Sequence, residues 1–106
     1  MDATTWDTLD RLVAWLDRES RLPPGDERLL RILKVSEETG EVAQAVLGAT
    51  GQNPRKGTTH TWTDVQHELC DVALAALVAL RTLTPDARTV FAERIAYVDR
   101  RSQQTP

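Results

Sequence analysis

Between Cys70 and Leu80 the chain reads CDVALAALVAL, apolar nearly all round a helix yet carrying Asp71 within it. A helix apolar on every side has to be covered on several sides. An ionised carboxylate in such surroundings is expensive unless it is paired or bound to a metal. Any fold for this chain must meet both demands. Glu68 precedes Asp71 by three residues and shares its helix face. Upstream, KVSEETGEVAQA carries Glu37, Glu38 and Glu41 on about one turn, so that Glu38 and Glu41 form a second pair at the same spacing. Like charges so placed repel by about 0.2–0.5 kcal/mol per pair.

In an antiparallel helix pair, residues at equal height have numbers that add to a constant. Glu41 with Glu68, and Glu38 with Asp71, add to the same total. A hairpin that sets Glu41 level with Glu68 therefore brings Glu38 to Asp71, and four carboxylates converge from two helices. Uncompensated, such a cluster is destabilising; with a divalent cation it becomes a binding site. Oxygen-only ligation favours Mg²⁺ or Mn²⁺ over zinc or iron. His67 adjoins Glu68 and so points about 100° away on the helix, and the Glu-x-x-His pairs of di-iron bundles are absent. Ordinary solvation accounts for any one of these acids. It accounts poorly for two pairs in register, one of them among apolar neighbours.

Four helices and no strand are expected. The first spans about Thr5 to Ser20, where Trp6, Leu9, Leu12, Val13 and Leu16 form an apolar stripe. Pro23, Pro24 and Gly25 break the chain, and the second helix runs from near Asp26 to the break at Gly48 to Gly51. GQNPRKGTTHT reads as loop. The third helix starts near Trp62 behind Thr61 or Thr63, with Thr63 and Gln66 as a capping box, and ends near Leu83. Thr84 is expected to cap the fourth, with Pro85 at its first position, and the helix runs to about Arg101. The expected fold is all-α, a four-helix bundle, and the apolar, alanine-rich third helix points to a homo-oligomer.

The chain has 106 residues, 41% of them apolar and 27% charged, which suits one globular domain. A net charge of −3 gives no electrostatic reason to bind nucleic acid or a membrane surface. A single cysteine rules out an internal disulfide framework and suits the cytoplasm. No signal-peptide pattern opens the sequence, and its longest apolar run, Val72 to Leu80, is too short to span a bilayer.

EETGE followed in the next helix by ELCD resembles the EExxE…ExxD signature of the all-α nucleoside triphosphate pyrophosphohydrolases, nearest to the short, single-domain MazG-like proteins. The resemblance covers about Leu29 to Leu80, and NPRKG and ELCDVALAAL add to it. It implies Mg²⁺-dependent cleavage between the α and β phosphates of a nucleoside triphosphate, giving the monophosphate and pyrophosphate, in a house-cleaning role. It also implies Glu38, Glu41, Glu68 and Asp71 as metal ligands, Glu37 orienting or deprotonating the attacking water, and assembly as a homodimer or homotetramer. Where some relatives place a tyrosine or another polar residue a turn after the aspartate, this chain has VALA, with Ala75 four residues on. Base and sugar preference are therefore open. A phosphoribosyl-ATP pyrophosphohydrolase-like reaction and a non-catalytic helical oligomerisation or regulatory module are the alternatives.

Other residues carry two readings each. Lys34 pairs with Glu38 or touches a phosphate. Arg55 and Lys56 reach a triphosphate from the loop or are simply solvated. Trp62 stacks on a base or, the favoured reading, packs as a staple. Arg94, Arg100 and Arg101 complement the last helix's dipole rather than meet phosphates. Trp6 and Trp15 are expected in the core, with Trp15 alternatively lining a base pocket, and Cys70 is expected to be a buried small hydrophobe. Nothing in the sequence favours catalysis by His60 or His67.

Overall fold

A computed structural model describes residues 1–104, and these are helical and without strands. Helix α1 spans Ala3–Glu19, α2 Pro24–Thr50, α3 Trp62–Leu83 and α4 Ala87–Gln103. The Asp2 side chain caps α1 by accepting from the Thr5 N–H at 2.9 Å. At 27 residues, α2 is about 40 Å long. It ends at Gly51, whose φ of 66° is left-handed, with the Gly51 N–H donating to the Leu47 carbonyl. Gly48 lets the returning chain lie against α2: a Cβ there would collide with the His60 ring and the Thr59 hydroxyl. The Thr59 N–H donates to the Gly48 carbonyl at 3.0 Å, which fastens the connection.

Helix α1 starts two residues before the expected Thr5, and α2 two before the expected Asp26. Pro24 and Gly25 therefore open α2 where a break is expected, Pro24 standing at the start where its missing N–H costs nothing. The starts of α3 and α4 differ as well. Thr61 caps α3, and the capping box uses Asp64 instead of Thr63 and Gln66: Thr61 Oγ1 accepts from the Asp64 N–H at 3.2 Å, while the Asp64 carboxylate accepts from the Thr61 N–H at 2.8 Å. These bonds hold the Asp64 carboxyl below its usual range, the backbone donor contributing most. Helix α4 begins at Ala87, two residues later than expected. Thr84 spends its hydroxyl accepting from the Asp86 N–H, so Pro85 lies in a turn.

Helices α2 and α3 pack along each other as the main pair, while α1 and α4 pack against α3. Trp6, Leu9 and Ala87 form the buried cluster where α1, α3 and α4 meet, with Leu77, Val78, Leu80 and Phe91 against it. Trp6 meets Phe91 edge-on, with ring centroids 6.2 Å apart. The chain is open: its radius of gyration is 17.1 Å, against about 13 Å for a compact chain of this length. Leu29, Leu33 and Leu69 are more than half exposed. The four helices therefore do not close into a bundle with a central core.

Asp71, expected among covering apolar neighbours, is exposed, and three further side chains expected inside are outside. Trp15 is 51% exposed because the α1 stripe through Trp6, Leu9 and Val13 faces the core, and Trp15, two residues past Val13, points about 160° away from it. Cys70 is exposed, since nothing in the described chain covers its side of α3. Trp62, at the first position of α3, is 58% exposed and does not pack as a staple. No described helix is long and apolar enough to cross a membrane.

Candidate functional site

The antiparallel pairing of α2 with α3 sets the geometry of the acids. Carboxylate oxygens of Glu38, Glu68 and Asp71 lie within 4.8 Å of one another, and so do those of Glu37, Glu38 and Glu41. Glu38 belongs to both groups and joins the two helices' acids into one cluster. Its side chain is only 13% exposed, against 61% for Glu37. Glu38 Oε2 and Glu68 Oε2 are buried without a hydrogen-bond partner. Burial, and then the charge of Glu41 and a hydrogen bond with it, push the Glu38 carboxyl above the usual carboxylate range; the Asp71 charge adds to this and Lys34 opposes it.

Lys34 is the cation at the cluster. Its Nζ lies 3.2 Å from Glu37 Oε1 and 3.6 Å from Glu38 Oε1. It reaches both acids, as the i, i+3 and i, i+4 spacing allows. The hydrogen bond to Glu37, and then the Glu37 charge, raise the Lys34 pKa. One lysine does not balance five carboxylates, and it leaves the two buried oxygens without donors. The acids thus form two overlapping oxygen-only groups that could hold a metal ion, Glu38 with Glu68 and Asp71 and Glu38 with Glu37 and Glu41, neither of which unites Glu41 with its expected partner Glu68.

A cavity of about 200 Å³ adjoins the cluster, with Lys34, Glu38 and Asp71 at one side and Leu16, Leu74, Ala75 and Val78 as apolar walls. Arg31 also lines it. Arg55, Lys56 and Trp62 do not line this cavity. Lys56 borders a separate cavity at the end of α2, beside Gln52, Asn53 and His60. The backbone N–H groups of Arg55 and Lys56 are held by Asn53. Arg100 and Arg101 lie in the last turn of α4, where they complement its dipole, and Arg94 and Arg101 both stack on Tyr97.

Arg31 is the residue that sequence reasoning missed. Its side chain is 7% exposed. Nε donates to Glu27 Oε1 at 3.0 Å and Nη1 to Thr82 Oγ1 at 3.0 Å, and Nη1 forms an ion pair with Asp17 Oδ1 at 2.9 Å. Arg31 therefore ties α2 to α1 and α3. Glu27, one turn upstream, is the sole partner visible as local spacing. Asp17 and Thr82 come from other helices, so no pattern within α2 announces the burial.

Compared with known proteins, the chain matches no family model, and no curated protein or solved structure matches it.

Proposed function

We propose that this chain is a MazG-like, Mg²⁺-dependent nucleoside triphosphate pyrophosphohydrolase, which splits the α–β anhydride of surplus or non-standard (d)NTPs into the monophosphate and pyrophosphate. The observation that carries the reading is the pair of buried, partnerless carboxylate oxygens, Glu38 Oε2 and Glu68 Oε2, inside a cluster of five acids. Leaving such atoms unpaired is costly in a folded protein, and a cation shared between α2 and α3 removes that cost. Glu38, Glu41, Glu68 and Asp71 would hold it. When bound, Mg²⁺ neutralises phosphate charge and polarises the anhydride.

The chain's own groups supply the remainder. Glu37, exposed at the rim, orients the attacking water and accepts its proton. The water oxygen bonds to phosphorus as the bridging P–O bond breaks, and pyrophosphate leaves. Lys34 fixes the Glu37 and Glu38 carboxylates. In this reading Arg55 and Lys56 are left out of the substrate contacts, because neither lines the cavity beside the acids.

Phosphorus NMR of a panel of NTPs and dNTPs incubated with the protein and Mg²⁺ tests the reaction. Monophosphate plus pyrophosphate, abolished by EDTA, is the expected result; diphosphate plus orthophosphate would overturn the reaction class. The working form is a homo-oligomer, dimer or tetramer. The large radius of gyration and the exposed leucines of α2 and α3 support this. Sedimentation equilibrium should give at least two chain masses, and a monomer at micromolar concentration would refute it.

A further inference from the structure

Resting on the homo-oligomer reading above, we propose that the outward face of α2 pairs with the same face of a second copy of this chain, antiparallel about a two-fold axis at the height of Glu38. Leu29, Leu33, Ser36, Gly40, Ala43 and Leu47 are all exposed. They follow one another at spacings of four, three, four, three and four residues, the heptad rhythm of a helix seam. In a straight helix they lie within about 40° of the side opposite Glu38. Helix α3 packs on the Glu38 side, so the seam lies uncovered, with Leu29, Leu33 and Leu47 each more than half exposed.

Gly40 identifies the occupant as another backbone at close range. Glycine inside a helix weakens it relative to alanine, and nothing in the chain itself asks for one there. Its φ is not positive, and a Cβ at this position would meet nothing within 4 Å. With Ser36 and Ala43 it makes a waist of small residues between leucines. The seam is also its own complement, as a two-fold contact requires. In the antiparallel register, pairs whose numbers add to one total face each other: Leu29 with the partner's Leu47, Leu33 with the partner's Ala43, and Ser36 with the partner's Gly40. On one flank, exposed Ile32 meets the partner's Val46, whereas a parallel pair would set Ile32 beside the partner's Glu37. On the other flank the two Glu37 side chains approach the axis, and each is already paired with its own Lys34 at 3.2 Å. The two acid clusters then face away from each other, each with its own α3. Neither copy supplies a ligand to the other's cation; the pairing braces α2, which carries Glu37, Glu38 and Glu41, on both faces.

Sedimentation and crosslinking of the full chain test this. Leu29→Glu/Leu47→Glu sets like charges opposite each other across the axis and should weaken self-association by about 100-fold or more, with helicity retained by circular dichroism. Leu29→Lys/Leu47→Glu introduces as many charges but matches them in the antiparallel register, and should associate at least about tenfold more tightly than the diglutamate variant. A diglutamate variant that keeps the parent's oligomeric mass would overturn this interface while leaving the homo-oligomer reading intact. A monomeric parent would remove that reading, and this inference with it. Crosslinking decides independently if the diglutamate chain loses helicity. In a Cys70→Ser background, Leu29→Cys/Leu47→Cys should give a covalent dimer with a short bismaleimide, and either cysteine alone should not. The two positions stand about 27 Å apart on one helix, so a link between them joins two chains. No covalent dimer from the double variant, or one from either single variant, would overturn the proposal.

Discussion

Replacing Glu38 with glutamine is expected to raise the melting temperature of the metal-free protein near neutral pH and to abolish its stabilisation by Mg²⁺. The amide keeps the shape of the side chain and removes one of the charges that Glu41 and Asp71 repel. The sign follows from linkage. Burial and neighbouring charge raise the Glu38 pKa in the folded state above its ordinary value of 4.5, so the folded chain holds that proton more tightly than the unfolded one. Stability from this group is then full below pH 4.5 and is lost as pH rises through the raised value. The advantage of Glu38→Gln should therefore be present at neutral pH and shrink towards zero in acid. With saturating Mg²⁺ the order inverts, because a ligand that binds only the folded state raises its midpoint, and Glu38→Gln lacks a ligand oxygen. On the proposed function, turnover should fall by more than about 100-fold, since losing even an outer partner of a metal ligand costs about 10–100-fold. Melts across pH, with EDTA and with Mg²⁺, read all of this. A metal-free Glu38→Gln protein that melts below the parent at neutral pH would show that the acids are not in conflict.

The second large effect is expected at Leu9→Ala. Leu9 is 1% exposed and stands between Trp6 and Ala87, where α1 meets α3 and α4. Truncating such a leucine costs about 2–5 kcal/mol, depending on how far the site collapses. Against a total of roughly 5–15 kcal/mol that is a large share, and few other buried side chains are present to absorb it. The midpoint of thermal unfolding should fall by about 10 °C or more. The damage should also reach the cavity, because Val78 belongs to its wall and packs against the same cluster. A shift of less than about 3 °C would mean that α1 adds little to the core.

The acid cluster was legible in the sequence because it needs only two facts: helices repeat every 3.6 residues, and antiparallel partners keep a constant register. Glu38 and Asp71 could be matched from their numbers alone, and the structure brings their oxygens together. What periodicity cannot supply is the identity of the covering surface. It places Trp15 and Cys70 on apolar helices, yet only the packing reveals that both are exposed. Start signals at α3 and α4 were ambiguous for a related reason. Thr61 and Thr63 both stand before an apolar run, and the choice went to the one whose third following residue, Asp64, can return the bond. Arg31 was out of reach because its burial depends on Asp17 and Thr82, far away in the chain.

Because the register of the acids is held by the packing of α2 on α3, the length of residues 52–61 does not set it. The tip of that connection, at Pro54 and Arg55, is exposed and lies beyond the Gly48–Thr59 bond that fastens its return. Insertions there should leave the cluster untouched. One residue added inside α2 between Arg31 and Glu38 would instead rotate the two by about 100° relative to each other. It would separate Arg31, and its ties to α1 and α3, from the acids further along α2. Descendants of this sequence are thus free to vary in the linker and bound to a fixed residue count along the two helices, and length variation among them should be read as neutral in one and as loss of the site in the other.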